Sequence, residues 1–221
     1  MLSYMNNELV SVYSKKQLEI LLEGVEHFPE PKITLEQYTL PAKVAAEILW
    51  YIQLRHKDIS KSVVADLGCG TGILALGAAL LNASYVVGID LDREALRKAL
   101  LSKQKLMLNN VDFVQGDIEH IPLKSGAVDV VIQNPPFGVH RRGIDIKFLR
   151  AAINIGKVVY SLHKRAPKSV NFISKTAEKL GAKVSEIYPI SVELRPTYNF
   201  HYKKKHVVKA DLFRLVKSYE C

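Results

Sequence analysis

Short apolar runs alternate with longer segments of helical periodicity through the middle of the chain. The apolar runs cover residues 63–67, 85–89, 111–114 and 128–132, and helices are predicted between the first three runs at residues 73–81 and 93–108. Continuous apolar strands of this length, separated by helices, are typical of a parallel sheet that is covered on both faces. The pattern therefore predicts an α/β fold.

Further helices and strands are predicted on both sides of this central region. They are helices at residues 8–23 and 42–54, a helix at 146–155, a strand at 157–162, a helix from Pro167 to Leu180, and strands at 183–190 and 207–215. Only a loop over residues 193–206 joins the last two strands, so we expect them to pair antiparallel. The sequence thus predicts a seven-stranded, mostly parallel sheet with the last strand antiparallel and helices on both faces.

The length and composition suit one soluble domain. We expect residues 1–221 to form a single domain, with residues 1–55 as an N-terminal helical extension, because 48% of the 221 residues are hydrophobic. Since no apolar run approaches a membrane span, we predict no membrane contact and a cytoplasmic location. The two cysteines, Cys69 and Cys221, are too few for a disulfide framework or a metal cluster, and no metal site is expected.

Positive charge is in excess. There are 31 lysines and arginines against 22 acids, which gives a formal net charge of +9 and a pI of about 9.4. A basic protein of this kind favours a polyanionic partner, because each neutralised phosphate releases counterions. Charge alone leaves a protein without nucleic-acid contacts equally open.

A glycine-rich loop follows the first predicted strand, with the sequence Asp66-Leu67-Gly68-Cys69-Gly70-Thr71-Gly72. Glycines at this place allow a tight turn and the close approach of a ligand. The dinucleotide fingerprint has two residues before its third glycine, whereas here glycines occupy alternate positions. The acid Asp66 disfavours a pyrophosphate and suits the ammonium of S-adenosylmethionine. A dinucleotide cofactor and a structural turn remain as alternatives.

Acidic residues also follow the second and third strands. Asp90 stands where an acid accepts hydrogen bonds from both ribose hydroxyls of a nucleoside cofactor. Asp117 can accept from an adenine amino group while the backbone N–H of Ile118 meets a ring nitrogen, although a solvated turn acid is the alternative. These positions support S-adenosylmethionine as the cofactor.

The fourth strand ends at Asn134-Pro135-Pro136-Phe137. An amino nitrogen on a purine or an amide is a poor nucleophile because its lone pair is delocalised. Two fixed acceptors, the Asn134 side-chain oxygen and the Pro135 carbonyl, would draw on its two N–H groups and free the lone pair. The prolines, including Pro136, restrict the backbone, and Phe137 offers a stacking face. A proline-rich loop capping a buried strand is the structural alternative.

The glycine loop and the Asn-Pro-Pro-Phe-Gly segment together resemble the class I amino-methyltransferases, which have a Rossmann-like fold. Within them the sequence is similar to the archaeal and eukaryotic family that makes N6-methyladenine in small-subunit rRNA. The similarity includes three further segments and covers about residues 31–216: Leu35-Glu36-Gln37-Tyr38, Val159-Tyr160-Ser161-Leu162-His163-Lys164 and Phe200-His201-Tyr202-Lys203-Lys204-Lys205.

This resemblance implies an S-adenosylmethionine-dependent N6-adenine RNA methyltransferase with a small zinc-binding activator subunit that pairs by strand addition. It implies catalytic roles for Asn134 to Phe137. It also implies cofactor contacts at Gln37, Thr39, Gly68, Thr71, Ile73, Asp90, Asp117 and Ile118, to which the glycine-loop chemistry adds Asp66 and Gly70. The family's threonine lies three residues beyond the glutamine, where this chain has Leu40, and Thr39 comes one residue earlier.

Two basic stretches flank the predicted pocket. Arg141 and Arg142 follow the motif, and Lys203, Lys204 and Lys205 are interleaved with aromatic residues, a pattern that suits RNA stacking and phosphate contact. A solvated hairpin with core aromatics is the alternative. Rival functions are methylation of a protein glutamine amide or of guanine N2, which need the same motif, and a cofactor-binding scaffold without catalysis.

Overall fold

The computed structural model describes residues 12–28, 30–137, 143–194 and 206–218. The α-helices in these ranges are α1 (Lys15–Glu23), α2 (Ala42–His56), α3 (Ile73–Leu80), α4 (Arg93–Lys105), α5 (Ile144–Ile155) and α6 (Ser169–Lys179). The strands are β1 (Val63–Leu67), β2 (Tyr85–Asp90), β3 (Val111–Gln115), β4 (Val128–Gln133), β5 (Gly156–Lys164), β6 (Ala182–Leu194) and β7 (His206–Lys217). Short 3₁₀ turns occupy Ile33–Leu35 and Ile118–His120.

The seven strands form one sheet in the order β3-β2-β1-β4-β5-β7-β6. Neighbours from β3 to β5 pair parallel, and β7 pairs antiparallel with both β5 and β6. The predicted α/β class, the seven strands and the reversed last strand are confirmed. The predicted class I, Rossmann-like methyltransferase fold has this arrangement.

Successive residues of the central strands face opposite sides of the sheet and enter different cores. Val64 and Val130 pack with α1, α2 and α3, whereas Ala65 and Val131 pack with α5 and α6. Apolar residues at consecutive positions are therefore required, because each strand is covered by helices above and below. This double burial explains why the sequence pattern of the strands is continuous and not alternating.

Several predicted boundaries were wrong by a few residues. The first helix begins at Lys15 and not at residue 8, because Ser14 is extended and its side chain accepts a hydrogen bond from the Gln17 N–H as an N-cap. The start of α2 at Ala42 is as predicted, but the helix ends at His56 instead of residue 54, and α6 begins at Ser169 instead of Pro167. Each of these shifts lies at a helix end, where local sequence determines the position least.

The strand order creates a crevice at the carboxyl end of the sheet. From β1 the chain proceeds outward to β2 and β3, then returns to the other side of β1 as β4. The chain leaves β1 towards one edge of the sheet and leaves β4 towards the other, so a gap opens above the carboxyl ends of these two adjacent strands. Ligands of open α/β sheets bind in such a gap. The glycine loop follows β1 and the Asn-Pro-Pro-Phe motif follows β4, so the two motifs lie on either side of this gap.

Candidate active site

One cavity opens at this gap, and the predicted cofactor residues surround it. Every one of them lines the cavity: Gln37, Thr39, Asp66, Gly68, Gly70, Thr71, Ile73, Asp90, Asp117 and Ile118. From the predicted catalytic motif, Asn134 and Pro136 line it as well. The structure therefore brings together residues that are up to about a hundred positions apart in the chain.

The glycine loop follows a path that a side chain would block. Gly68 and Gly70 have φ angles of 67° and 54°, in the left-handed region. A Cβ on Gly68 would lie 2.8 Å from the ring of Phe148, and one on Gly70 would lie 2.7 Å from the ring of Phe28. Both the backbone conformation and the aromatic neighbours thus require glycine, which keeps the loop close to the cavity.

Asp66 is buried below this loop with half of its carboxylate unpaired. Its Oδ2 accepts a hydrogen bond of 3.0 Å from the Ala75 N–H, and its Oδ1 has no hydrogen-bond partner among the described residues. The pKa of Asp66 is raised to about 7. Burial is the main cause of this shift, the charge of Asp90 adds to it, and the hydrogen bond from the Ala75 N–H opposes it. A buried carboxylate oxygen without a partner is costly, so a cationic group from the cavity would satisfy it.

Asp90 joins the end of β2 to the glycine loop. Its Oδ2 accepts a hydrogen bond of 2.7 Å from the Gly70 N–H, and its Oδ1 accepts one of 2.8 Å from the Asp92 N–H. Burial raises the pKa of Asp90. Each carboxylate oxygen has further lone pairs, so the same side chain can still accept from hydroxyl groups in the cavity.

Asp117 caps the short turn that follows β3. Its Oδ1 accepts a hydrogen bond of 3.0 Å from the Glu119 N–H, and the turn begins at Ile118. This capping is the structural role that the sequence left as an alternative for Asp117. Both residues also line the cavity, so a cap and a ligand contact are compatible here.

The segment before α2 lines the cavity and is held in place by Gln37. The Gln37 Nε2 donates to Asp92 Oδ2 at 2.8 Å, and its Oε1 accepts from the Lys32 backbone N–H, also at 2.8 Å. The Lys32 ammonium also pairs with Asp92 Oδ1 at 2.9 Å. Gln37 therefore holds this segment to Asp92, the N-cap of α4, through Nε2, and bonds to the backbone of the segment itself through Oε1, a role that the sequence did not predict.

The Asn-Pro-Pro-Phe motif reaches the cavity at its first and third residues. Asn134 Oδ1 accepts a hydrogen bond of 2.7 Å from the Tyr38 hydroxyl, and the Phe137 ring lies beside the Tyr38 ring. Pro135 is buried, and neither Pro135 nor Phe137 lines the cavity, although Asn134 and Pro136 do. Phe137 is the last described residue of the motif loop.

A chain of buried polar groups leads away from the motif. Gln133 Nε2 donates to Ser161 Oγ at 2.9 Å, and this oxygen lies 2.8 Å from His163 Nε2. Burial lowers the pKa of His163 to about 4, so the imidazole is neutral near pH 7. His163 is not among the residues that line the cavity, which fits packing at the end of β5.

The predicted RNA-contacting residues lie outside the described residues. These are Arg141, Arg142, Lys203, Lys204 and Lys205. Among the described residues, no cluster of three or more His, Cys, Asp or Glu side chains is arranged to hold a metal ion. The helices formed by the same residues include none that is long and apolar enough to cross a membrane.

Sequence reasoning missed several residues of the site. Phe28, Glu36 and Phe148 line the cavity, and Asp92 anchors Gln37. Tyr38 entered only as part of a family-like segment, although it contacts Asn134 directly. No local sequence pattern could have indicated the contacts of Gln37 with Asp92 and of Tyr38 with Asn134, because the two residues of each contact are far apart in the chain.

The comparisons with known proteins identify the family of the chain. A methyltransferase-domain family matches residues 59–188. The rRNA N(6)-adenosine-methyltransferase METTL5 of Danio rerio is 40% identical over 202 residues, which cover 90% of this chain and 97% of that protein. The Drosophila melanogaster rRNA N(6)-adenosine-methyltransferase Mettl5 is 37% identical over 203 residues, which cover 90% of this chain and 94% of that protein. The chain belongs to this methyltransferase family.

A solved structure of similar sequence supports the membership. The crystal structure of PH1948 from Pyrococcus horikoshii has a TM-score of 0.85 and 36% identity, and the match covers 94% of this chain and all of that one. The family resemblance seen in the two motifs is thereby confirmed.

As a member of this family, the protein uses S-adenosylmethionine as its cofactor. The cavity suits that molecule, because it presents Asp90 at the end of β2 and a buried carboxylate oxygen of Asp66 that has no partner in the part of the chain that the structure describes. A dinucleotide, the alternative left open by the glycine loop, would bring a pyrophosphate towards Asp66 and be repelled by its charged form.

Proposed function

We propose that this chain transfers a methyl group from S-adenosylmethionine to the N6 amino group of an adenine in small-subunit rRNA. The observation that supports this most directly is that Asn134, just after β4, lines the same cavity as Asp66 in β1 and Asp90 at the end of β2. The names of the two rRNA N(6)-adenosine-methyltransferase relatives support adenine over other acceptors. A cytoplasmic location is part of this proposal and is supported by the free, buried thiol of Cys69.

The chemistry assigned to the chain is the activation of a flat amino group. The bound cofactor supplies an electrophilic methyl carbon on a sulfonium. Asn134 Oδ1 and the Pro135 carbonyl accept the two N–H hydrogens and favour a pyramidal nitrogen whose lone pair points at the methyl group. Pro136 restricts the backbone, and Phe137 stacks on the base. No side-chain base is needed, because the ammonium product loses its proton readily to water.

The cofactor residues divide by chemistry. Asp66 Oδ1 takes the ammonium of the methionine portion, since it is buried and lacks another partner among the described residues. Asp90 accepts from the ribose hydroxyls, while Asp117 and the Ile118 N–H meet the adenine. The rest line the walls and allow close approach: Gln37, Thr39, Gly68, Gly70, Thr71 and Ile73.

Cofactor affinity is expected to rise between about pH 6 and about pH 8. Because burial raises the pKa of Asp66 to about 7, its carboxyl is neutral below that pH and charged above it. Only the charged form attracts an ammonium, so binding strengthens as the pH rises through 7 and then reaches a plateau. Calorimetry with S-adenosylhomocysteine measures this, since that product keeps the ammonium without the sulfonium.

The matched variant is Asp66→Asn, which cannot ionise. It should bind more weakly at the higher pH and show a nearly flat profile across the range. If the wild-type protein binds S-adenosylhomocysteine equally well across this pH range, the role assigned to Asp66 is contradicted.

Incubation with labelled cofactor tests the substrate class. Small ribosomal subunits and a protein extract are offered separately, and the modified nucleosides of the RNA are identified by mass spectrometry. We expect label in RNA as N6-methyladenosine. Label only in protein would favour the glutamine rival, N2-methylguanosine would favour the guanine rival, and the absence of label from both would favour a non-catalytic scaffold.

The RNA contacts belong to the same proposal. Arg141, Arg142, Lys203, Lys204 and Lys205 are assigned to phosphates on the basis of sequence, and the formal charge of +9 is consistent with a polyanionic substrate. Each lysine or arginine that neutralises a phosphate adds to the salt dependence of binding. Removing the three lysines together should therefore weaken RNA binding most at low salt.

A small zinc-binding activator is proposed to add a strand beside β3. This strand forms one edge of the sheet, so its outer backbone groups are available for pairing. Val114 on β3 is 37% exposed, and Leu100, Leu101 and Met107 on α4 and the following turn are also exposed. Lys103 of α4 pairs with Asp112 of β3 at 2.7 Å, which holds the helix against this edge.

Val114→Lys is expected to abolish co-purification with the co-expressed activator. The substitution adds a charge to the edge strand, where a partner would bury apolar surface. The control is Val170→Lys on α6, a valine of similar exposure on another element, which should leave co-purification unchanged. Unimpaired binding by the Val114 variant would exclude pairing at this edge.

A further inference from the structure

One side chain outside the Asn-Pro-Pro-Phe motif contacts it directly. The Tyr38 hydroxyl donates a hydrogen bond of 2.7 Å to Asn134 Oδ1. The Tyr38 ring lies beside the Phe137 ring, with ring centroids 6.1 Å apart and planes inclined by 37°. The tyrosine thus contacts both the residue proposed to accept an amino hydrogen and the residue proposed to stack on the base.

The orientation of the Asn134 amide matters for the chemistry. Rotating the end of an asparagine side chain exchanges its oxygen and its NH2 group with little change of shape. Only the oxygen can accept a hydrogen bond from the substrate amino group. With the NH2 turned towards the substrate, two sets of donors would face each other and the transition state would lose its acceptor.

We propose that Tyr38 is a positioning residue that keeps the Asn134 oxygen, and not its NH2 group, turned towards the substrate amino group. This inference rests on the proposed function. An amide oxygen has two lone pairs, so Oδ1 can accept from Tyr38 and from the substrate at the same time. A phenol hydroxyl donates far better than it accepts, so the flipped amide would lose most of this interaction.

The surroundings of Tyr38 suit a permanent donor on a fixed support. Burial raises the pKa of the Tyr38 hydroxyl, the hydrogen bond to Asn134 lowers it, and the charge of Glu36 raises it, so that it stays protonated at neutral pH. The adjacent Gln37 is bonded to Asp92 at 2.8 Å, which anchors the segment that carries the tyrosine. The hydroxyl therefore has little freedom to leave Asn134.

Tyr38→Phe tests this role, because it removes the hydroxyl and keeps the ring. We expect kcat for methyl transfer to fall about tenfold, as for the loss of one aligned hydrogen bond. The KM for RNA and the cofactor dissociation constant from calorimetry should stay within about twofold of the wild-type values, since the hydroxyl is not expected to contribute to the binding of RNA or cofactor in the ground state. The matched control is Tyr188→Phe, which removes a hydroxyl bonded to Glu47 at 3.3 Å and should change neither quantity.

A kcat of Tyr38→Phe within about twofold of the wild-type value would overturn the proposal. So would a loss of kcat that is matched by an equal loss of cofactor affinity, because Tyr38 would then act on cofactor binding.

A second measurement needs no activity. It uses the side-chain amide signals of Asn134 in a nitrogen-15 spectrum, which are identified by their absence in Asn134→Asp. We expect one sharp pair in the wild type and a broadened or doubled pair in Tyr38→Phe; an unchanged pair also counts against it.

Combining the two substitutions separates orientation from general packing. In the Asn134→Asp background both terminal atoms are oxygens, so either orientation of the side chain presents an acceptor and fixing one orientation should not change the rate. Adding Tyr38→Phe should then lower single-turnover methyl transfer by less than about twofold, and a further tenfold loss would overturn the proposal. Failure of the proposed function itself is seen earlier, as wild-type protein that methylates no adenine in RNA.

Discussion

Asn134→Ala is expected to lower kcat for RNA methylation about a thousandfold, while the cofactor dissociation constant changes by no more than about threefold. The large effect follows because the side-chain oxygen acts mainly when the amino nitrogen pyramidalises, so its loss raises the barrier without weakening cofactor binding. Asn134 lines the cavity from the loop after β4, whereas Asp66 and Asp90 line it from β1 and the end of β2.

Steady-state rates of transfer to ribosomal subunits at saturating cofactor and substrate measure the first quantity, and calorimetry with S-adenosylhomocysteine measures the second. Asn171→Ala, an exposed asparagine on α6, is the matched control and should behave as the wild type. Asn134→Asp retains an oxygen acceptor and should lie between the two. Full activity of Asn134→Ala would refute the assigned mechanism, and a parallel loss of cofactor affinity would reassign the residue to binding.

Asp90→Ala is expected to weaken cofactor binding about a hundredfold, which corresponds to the loss of about two hydrogen bonds to a charged acceptor. The carboxylate also accepts the Gly70 and Asp92 N–H groups, so its removal loosens the glycine loop as well as the ribose contact. Since the effect acts on the free enzyme, kcat at saturating cofactor should fall much less than affinity.

A cofactor analogue without one ribose hydroxyl separates these two contributions. The wild type should bind 2′-deoxy-S-adenosylhomocysteine more weakly than the parent compound, and Asp90→Ala should bind both equally. Glu178→Ala on α6 serves as the control for removing an exposed acid. Undiminished affinity in Asp90→Ala would discard the ribose assignment, and a variant that still discriminates between the compounds would transfer the contact to another residue.

The elements that depend on local sequence were predicted well. The strands β1, β2 and β4 were found because each is a short apolar run that is largely buried in the sheet. The strand β3 was found from its apolar residues although it lies at the edge and is mostly exposed. The glycine loop was found because glycines at alternate positions indicate a tight turn, and all three glycines do have positive φ angles. Helix ends were predicted less well, as the start of α1 at Ser14 shows, because the apolar pattern does not fix the capping residue.

The tertiary structure decided how the motifs are supported. Gln37 was predicted as a cofactor contact, yet one end of its side chain is bonded to Lys32 and the other to Asp92, the N-cap of α4, which is 55 positions away. Tyr38 meets Asn134 across 96 positions of sequence. The raised pKa of Asp66 likewise comes from burial by distant elements. Local pattern fixes backbone conformation and the choice of buried face, so the sequence alone determined the strands, the loop and the candidate chemistry. Contacts between distant side chains depend on how the folded elements meet, and only the folded chain could decide which group holds each catalytic or binding residue in place.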